Sequence, residues 1–120
     1  MPPSNSLYVE KDPPIREAFE MAAKYLDINV VVAQSPEEAL GLLQTDTHVV
    51  ITGLLFYDSK MDGGQLLAAI KERNSKVIRV ICSDLEDDPN YSTSIAAGEP
   101  HGTYRKPCDI AQMIEQIKGM

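Results

Sequence analysis

The chain has 120 residues, 43% of them apolar, which is one domain's length with enough apolar content for an ordinary core. Its formal net charge of −7 argues against nonspecific binding to nucleic acid or to an anionic membrane, since both need a basic surface. No run approaches the roughly 18 apolar residues of a membrane span.

Residues 1–5 are read as a flexible tail and 6–120 as one domain, and Met1 to Ser6 lack the basic and apolar regions of a signal peptide. Leu7-Tyr8-Val9 is a short strand ending in Glu10-Lys11-Asp12. Asp12 precedes Pro13-Pro14, which suits a helix N-cap followed by prolines in the first turn. The helix that follows carries Ile15, Phe19, Ala22, Ala23 and Leu26 on one face. Ile28 to Ala33 is a β-branched run and hence a strand. Ser35-Pro36-Glu37-Glu38 predicts a capping box opening a short helix with Ala39, Leu40, Leu42 and Leu43. Val49 to Gly53 is a short apolar run of the kind found in a strand buried on both faces.

The loop Leu54 to Met61 follows, and Asp62 caps a third helix bearing Leu66, Leu67 and Ile70 and ending near Arg73-Asn74. Val77 to Cys82 is a fourth strand. The stretch after it is acidic and holds Pro89 and a Ser-Thr-Ser run, so a helix at about Asn90 to Ala97 is short. Gly102 to Arg105 is a fifth strand. Asp109, with Gln112 three residues on, caps a last helix whose apolar face is Ile110, Met113, Ile114 and Ile117. The order βαβαβαβαβα implies a parallel sheet with helices on both faces and right-handed crossovers.

In such a sheet, ligands and chemistry sit just past the carboxyl ends of the strands. At the end of the central strand stands Gly53, which has no side chain to act as nucleophile, acid, base or metal ligand. Bland readings suit several other features. Gly63-Gly64 is a turn plus cap rather than a phosphate loop. His48 and His101 lack ligand spacing. The Glu86-Asp87-Asp88 run is a solvated loop, and the five tyrosines show no stacking pattern for bases. Cys82 and Cys108 are too few for a disulfide framework. Their default reading is reduced thiols in a cytoplasm, with a redox pair near the ends of strands four and five as the alternative.

Four stretches, in this order and spacing, resemble the receiver domain of bacterial response regulators over essentially the whole chain. They are Val9 to Glu17, Ser35 to Leu40, Met61-Asp62-Gly63 and Lys106-Pro107. The resemblance implies an α/β, flavodoxin-like doubly wound sheet of five parallel strands in the order 2-1-3-4-5. It implies a phosphoacceptor aspartate ending the third strand and two acidic residues after the first that hold Mg²⁺. It also implies a Ser or Thr switch ending the fourth strand, a lysine ending the fifth and a cis bond at Lys106-Pro107. Carried over residue by residue, the phosphoacceptor falls on Gly53 (Thr52 in a register shifted by one) and the acidic pair becomes Glu10-Lys11. Ser83 matches the hydroxyl, with Cys82 fitting almost as well, and Lys106 matches the lysine. The aromatic switch position falls on Thr103, one place before Tyr104. The loop from Gly53 to Gly63 runs two residues longer than the usual pattern, with Tyr57 where proline is common.

The reading is therefore a degenerate receiver in a two-component or phosphorelay system, cytoplasmic and not itself an enzyme. Glu10, Lys11, Asp12, Gly53, Ser83 and Lys106 form its altered pocket. Mg²⁺ binding is expected to be lost, because an ammonium has no acceptor to offer a metal, and no other cofactor or metal is expected. Lys11 is expected to fill the metal's volume and pair with Glu10 or Asp12. Partners are proteins: a histidine kinase, an output domain, another regulator or a second copy. The expected contact face is the fourth helix, fifth strand and last helix, with Tyr91, Ile95, Thr103, Tyr104 and the exposed side of 108–118. Two other readings compete. One is a receiver still phosphorylated on a displaced Asp58 or Asp62, and the other is a small-molecule sensor whose cleft is lined by Leu54, Leu55, Phe56 and Tyr57.

Overall fold

In the computed structural model, which describes residues 5–84, 88–106 and 110–118, the hydrophobic pattern becomes five strands and five helices. The strands are β1 (Asn5–Val9), β2 (Asn29–Ala33), β3 (Val49–Thr52), β4 (Ile78–Cys82) and β5 (Gly102–Tyr104). They form one parallel sheet in the order β2-β1-β3-β4-β5. Asn5 opens β1 rather than belonging to a tail, because its amide side chain donates to Asp46 Oδ2 at 2.8 Å and its carbonyl accepts from His48. Residues 1–4 lie outside the described residues.

Alternating side chains along the strands feed two cores, one on each side of the sheet. Helices α1 (Pro13–Tyr25) and α5 (Ile110–Lys118) cover Tyr8, Val49, Ile51, Val80 and Cys82 with Phe19, Ala23, Met113 and Ile114. Helices α2 (Pro36–Leu42) and α3 (Gly63–Arg73) cover Leu7, Val9, Val50 and Ile81 with Ala39, Leu66, Leu67 and Ile70. Each fully buried Leu or Ile contributes about 1.5–3 kcal/mol, so the central strands are the most strongly determined part of the fold. No helix among the described residues is long and apolar enough to cross a membrane.

The helix starts follow the sequence signals with local differences. Asp12 stands at the N-cap of α1, ahead of the two prolines, but makes no side-chain capping bond. Ser35 caps α2 by accepting from Glu38 N, whereas the Glu38 carboxylate reaches Gln34 N, one residue short of a reciprocal box. Asp62 and Gln65 form a complete capping box at α3. A side chain on Gly63 would overlap the Gly53 carbonyl, and one on Gly64 would overlap the Ser94 carbonyl. The two glycines thus let α3 start against the end of β3 and beside α4 (Ser92–Gly98). The Asp109 cap and the cis Lys106-Pro107 bond fall on residues outside those described.

Helix α4 follows a 3-10 turn at Pro89–Tyr91 and is held at its C-terminal end. Arg79, in the middle of β4 and buried, donates to the carbonyls of Gly98, Glu99, Ser75 and Val77. Glu99 pairs with Lys71 of α3 at 2.7 Å. A seven-residue helix of low propensity persists because tertiary contacts fix its end.

One sequence expectation is overturned. Cys82 is disulfide-bonded and no free cysteine is found among the described residues, so the reduced-thiol reading does not hold. Composition suggested a default compartment, but bonding depends on which sulfur the fold brings near, and spacing along the chain does not encode that. Cys108 lies outside the described residues.

Candidate functional site

The strand register brings the carboxyl ends of the inner strands level. Val9 pairs with Thr52, Thr52 with Ile81, and Cys82 with Tyr104. The ladder continues one residue further, with Glu10 N donating to Ala33 O, Gly53 N to Val9 O and Ser83 N to Tyr104 O. The result is a cleft of about 250 Å³ lined by Glu10, Lys11, Gly53, Ser83, Asp84 and Lys106, with Leu54 to Tyr57 along one wall. Five of the six residues expected in the pocket line this cleft. Asp12 does not line it and serves at the start of α1.

The central contact is an ion pair. Glu10 is 2% exposed and its carboxylate meets Lys106 Nζ at 2.5 Å. The other carboxylate oxygen accepts from Asp12 N at 3.2 Å, and the Glu10 carbonyl accepts from Arg16. Lys106 reaches across because its own N–H donates to Ser83 O, which folds the chain back over β4. Beneath the pair, Tyr8 stacks on Phe19 at a centroid distance of 3.9 Å. Burial, with the Glu10 charge beside it, pushes the Tyr8 phenol well above its ordinary range.

Lys11 does not pair with Glu10 or Asp12, contrary to the sequence expectation. Its ammonium donates to Leu55 O at 3.0 Å and lies 4.6 Å from the centre of the Tyr57 ring. The reason is competition, since Lys106 already pairs with the buried Glu10 carboxylate. Lys11 finds acceptors in the long β3–α3 loop instead, and Tyr57 stands over it, 79% exposed. The far end of that loop is tied to α2, where Ser59 donates to the Glu37 carboxylate and Lys60 N does the same. Those bonds, Ser59 first, hold the Glu37 carboxyl below its usual range.

At Gly53 there is room for a Cβ. An added Cβ would meet Phe56 Cζ at 3.7 Å, Val9 O at 3.9 Å and Cys82 O at 4.0 Å, all ordinary contacts. The other candidate carboxylates stand elsewhere. Asp58 is exposed and outside the cleft lining, and Asp62 is engaged in the α3 cap. Asp84 does line the cleft and was missed, although its place directly after Ser83 was the available signal. Ser83, not Cys82, supplies the hydroxyl position, since Cys82 turns into the core on the α1 side. No group of three or more His, Cys, Asp or Glu able to hold a metal occurs among the described residues.

The expected contact face is corrected in part. Thr103 is exposed and Tyr91 is half-buried. Ile95, however, packs on the α3 side of the core, and Tyr104 packs on the α1 side with its hydroxyl donating to Gln116 at 2.7 Å. Helical and strand periodicity point these two side chains inward. Residues 108 and 109 lie outside those described.

A five-stranded 2-1-3-4-5 sheet with one cleft at the strand ends is what comparison with known proteins also finds. The model of the response regulator receiver domain matches residues 7–118. The chain belongs to the response regulator receiver domain family. Its fold is similar to that of a CheY-like receiver domain protein from Methanospirillum hungatei, with a TM-score of 0.85, 18% identity and coverage of 98% of this chain and 92% of that one. It is similar to the receiver domain of an HD domain-containing protein from Pseudomonas fluorescens (TM-score 0.86, 22% identity, coverage 98% and 93%). It also resembles TrrA from Thermotoga maritima, solved with Mg²⁺ and BeF, at a TM-score of 0.80, 16% identity and 97% coverage of both chains. No curated protein matches. Receiver domains are signalling modules of two-component systems that interact with histidine kinases and other proteins, and this receiver shares that role at that level.

Proposed function

We propose that this receiver signals by binding a protein partner without taking a phosphoryl group or Mg²⁺. The observation that carries the reading is Gly53 at the carboxyl end of β3, where an acyl phosphate has no carboxylate on which to form. The cations of the cleft agree with it. Lys11 places three donors and no acceptor where oxygen ligands are needed, and the Glu10 carboxylate is engaged by Lys106 and Asp12 N. The residues present do not fit Mg²⁺. The Lys11 ammonium instead holds the β3–α3 loop through Leu55 O and Tyr57. At about 250 Å³ the cleft also falls below the roughly 300–1,000 Å³ of ordinary ligand pockets, which favours a protein partner over a small-molecule signal. The exposed surface around Thr103 and Tyr91 is the contact face this reading assigns.

The test is intact mass after incubation with acetyl phosphate and Mg²⁺, alongside melting with and without Mg²⁺. The expected result is no phosphoryl mass and no Mg²⁺-dependent stabilisation. The double variant Lys11→Asp/Gly53→Asp is the positive control, since a Cβ at Gly53 makes only ordinary contacts. It should gain about 1.4 kcal/mol from Mg²⁺ at ten times the dissociation constant. A phosphoryl adduct on the unmodified chain would overturn the proposal, and Asp58→Asn and Asp62→Asn would then locate it.

A further inference from the structure

We infer that α4 is locked in one position against α3 and β4, so that the contact surface it carries is always presented and is not switched. The choice of that face rests on the reading above. The lock itself is seen in the packing of α4.

Gly64, Leu67 and Lys71 lie on one face of α3, three and four residues apart, and each meets α4. At the first the two backbones touch: a Cβ on Gly64 would overlap Ser94 O and stand 2.8 Å from Ile95 N. At the second, a Cβ on Gly98 would stand 2.8 Å from both Leu67 Cβ and Gly64 O. Only glycine permits so close an approach at either place. At the third, Lys71 pairs with Glu99 at 2.7 Å. The seam fixes the register of the two helices. A slide of α4 towards the C-terminal end of α3 drives its backbone into the Leu67 side chain, which stands where Gly64 leaves room.

β4 holds the same helix from beneath. The Arg79 guanidinium, on a residue 5% exposed, donates to Gly98 O at 3.0 Å and Glu99 O at 3.2 Å. Any slide or rotation of α4 breaks those bonds and leaves a buried cation short of acceptors, which is strongly unfavourable. The other end is closed by its own turn. Tyr91 N donates to Asp88 O, Asn90 N to the Asp88 carboxylate at 2.9 Å, and the Ser92 hydroxyl to Pro89 O at 2.9 Å. Tyr91 is therefore carried on a turn tied to a fixed helix. A partner meeting this face finds it already formed, and binding carries no cost of ordering it. A chain with no carboxylate at Gly53 to receive a phosphoryl signal then sets its output by the concentrations of the two proteins and not by a change of shape.

Native-state hydrogen exchange and relaxation dispersion on the full chain test the proposal. Amides of Ala96, Ala97 and Gly98 should exchange within about tenfold of the protected amides of α3, and Ser94 to Gly98 should show no microsecond-to-millisecond exchange. Gly98→Ala pushes a Cβ into Gly64 O and Leu67, and should lower α4 protection about tenfold or more while α3 keeps its own. Lys71→Met removes only the surface pair and should lower α4 protection about threefold, which keeps a readout if Gly98→Ala does not fold. In the unmodified chain, α4 amides exchanging about a hundredfold faster than those of α3, or dispersion confined to α4, would overturn the proposal. So would α4 protection left unchanged by both variants. A phosphoryl adduct would leave a fixed α4 standing, and a mobile α4 would leave the absence of phosphoryl transfer standing, so the two readings fail separately.

Discussion

Replacing Lys106 by methionine isolates the contact on which the cleft is built. Methionine keeps much of the apolar stem and removes the charge, leaving the Glu10 carboxyl at 2% exposure without its cation and with Asp12 N as the remaining donor to its side chain. Removing one partner of a buried ion pair costs about 3–5 kcal/mol. Lys106 retains 24% side-chain exposure, so water screens part of the loss and the lower end, about 3 kcal/mol, is the expected value. At about 4 °C per kcal/mol for a domain of this size, the melting temperature should fall by roughly 12 °C. The companion Glu10→Gln/Lys106→Met keeps an acceptor for Asp12 N while removing both charges, and should lie within about 1 kcal/mol of the unmodified chain. Urea unfolding of the four members of this cycle, read with the slopes held common, gives the coupling directly. A single variant costing under about 0.5 kcal/mol, or a double variant costing the sum of both singles, would refute the claim that the pair is buried and mutually neutralising.

Three other outcomes follow from the same structure. Arg79→Met strips the guanidinium from four carbonyls at the end of α4 and around β4; it should cost about 2–4 kcal/mol by urea unfolding. Arg79→Lys should recover little of that loss, because one ammonium does not replace a planar fork, and amides of α4 should exchange faster in both variants. Asp27→Gly relieves a left-handed non-glycine residue and should stabilise by about 0.5–1 kcal/mol in the same assay. The Glu37 carboxyl is held below its ordinary 4.5 by the Ser59 hydroxyl and Lys60 N. A depressed carboxyl contributes stability above its unfolded value and loses it as pH falls through the lower folded value. The stability difference between the unmodified chain and Ser59→Ala should therefore be present at pH 7 and vanish in acid below that folded value, as read by melting at each pH.

The sequence by itself determined the order of elements and most of their bounds. Short β-branched runs such as Val49 to Ile51, bounded by polar residues, point to strands covered on both faces, and Pro13, Ser35 and Asp62 mark helix starts through chemistry confined to a single turn. It also determined that the end of β3 carries no side chain, since Gly53 follows directly from the strand's own length. Five of the residues lining the cleft were legible for a related reason: Glu10, Gly53 and Ser83 each directly follow a strand, and Lys11 and Lys106 stand two residues past one.

What only the tertiary structure decided is who meets whom. Glu10 and Lys106 are 96 residues apart, and nothing local says that Lys106 rather than Lys11 reaches the buried carboxylate. That outcome depends on the chain folding back over β4 and on Leu55 O and Tyr57 offering Lys11 a better place. The bonded state of Cys82 and the burial of Arg79 under α4 have the same origin. Periodicity tells which face of an element is apolar, but the partners of a charge, a sulfur or a hydroxyl are set by distances that exist only once the sheet has formed.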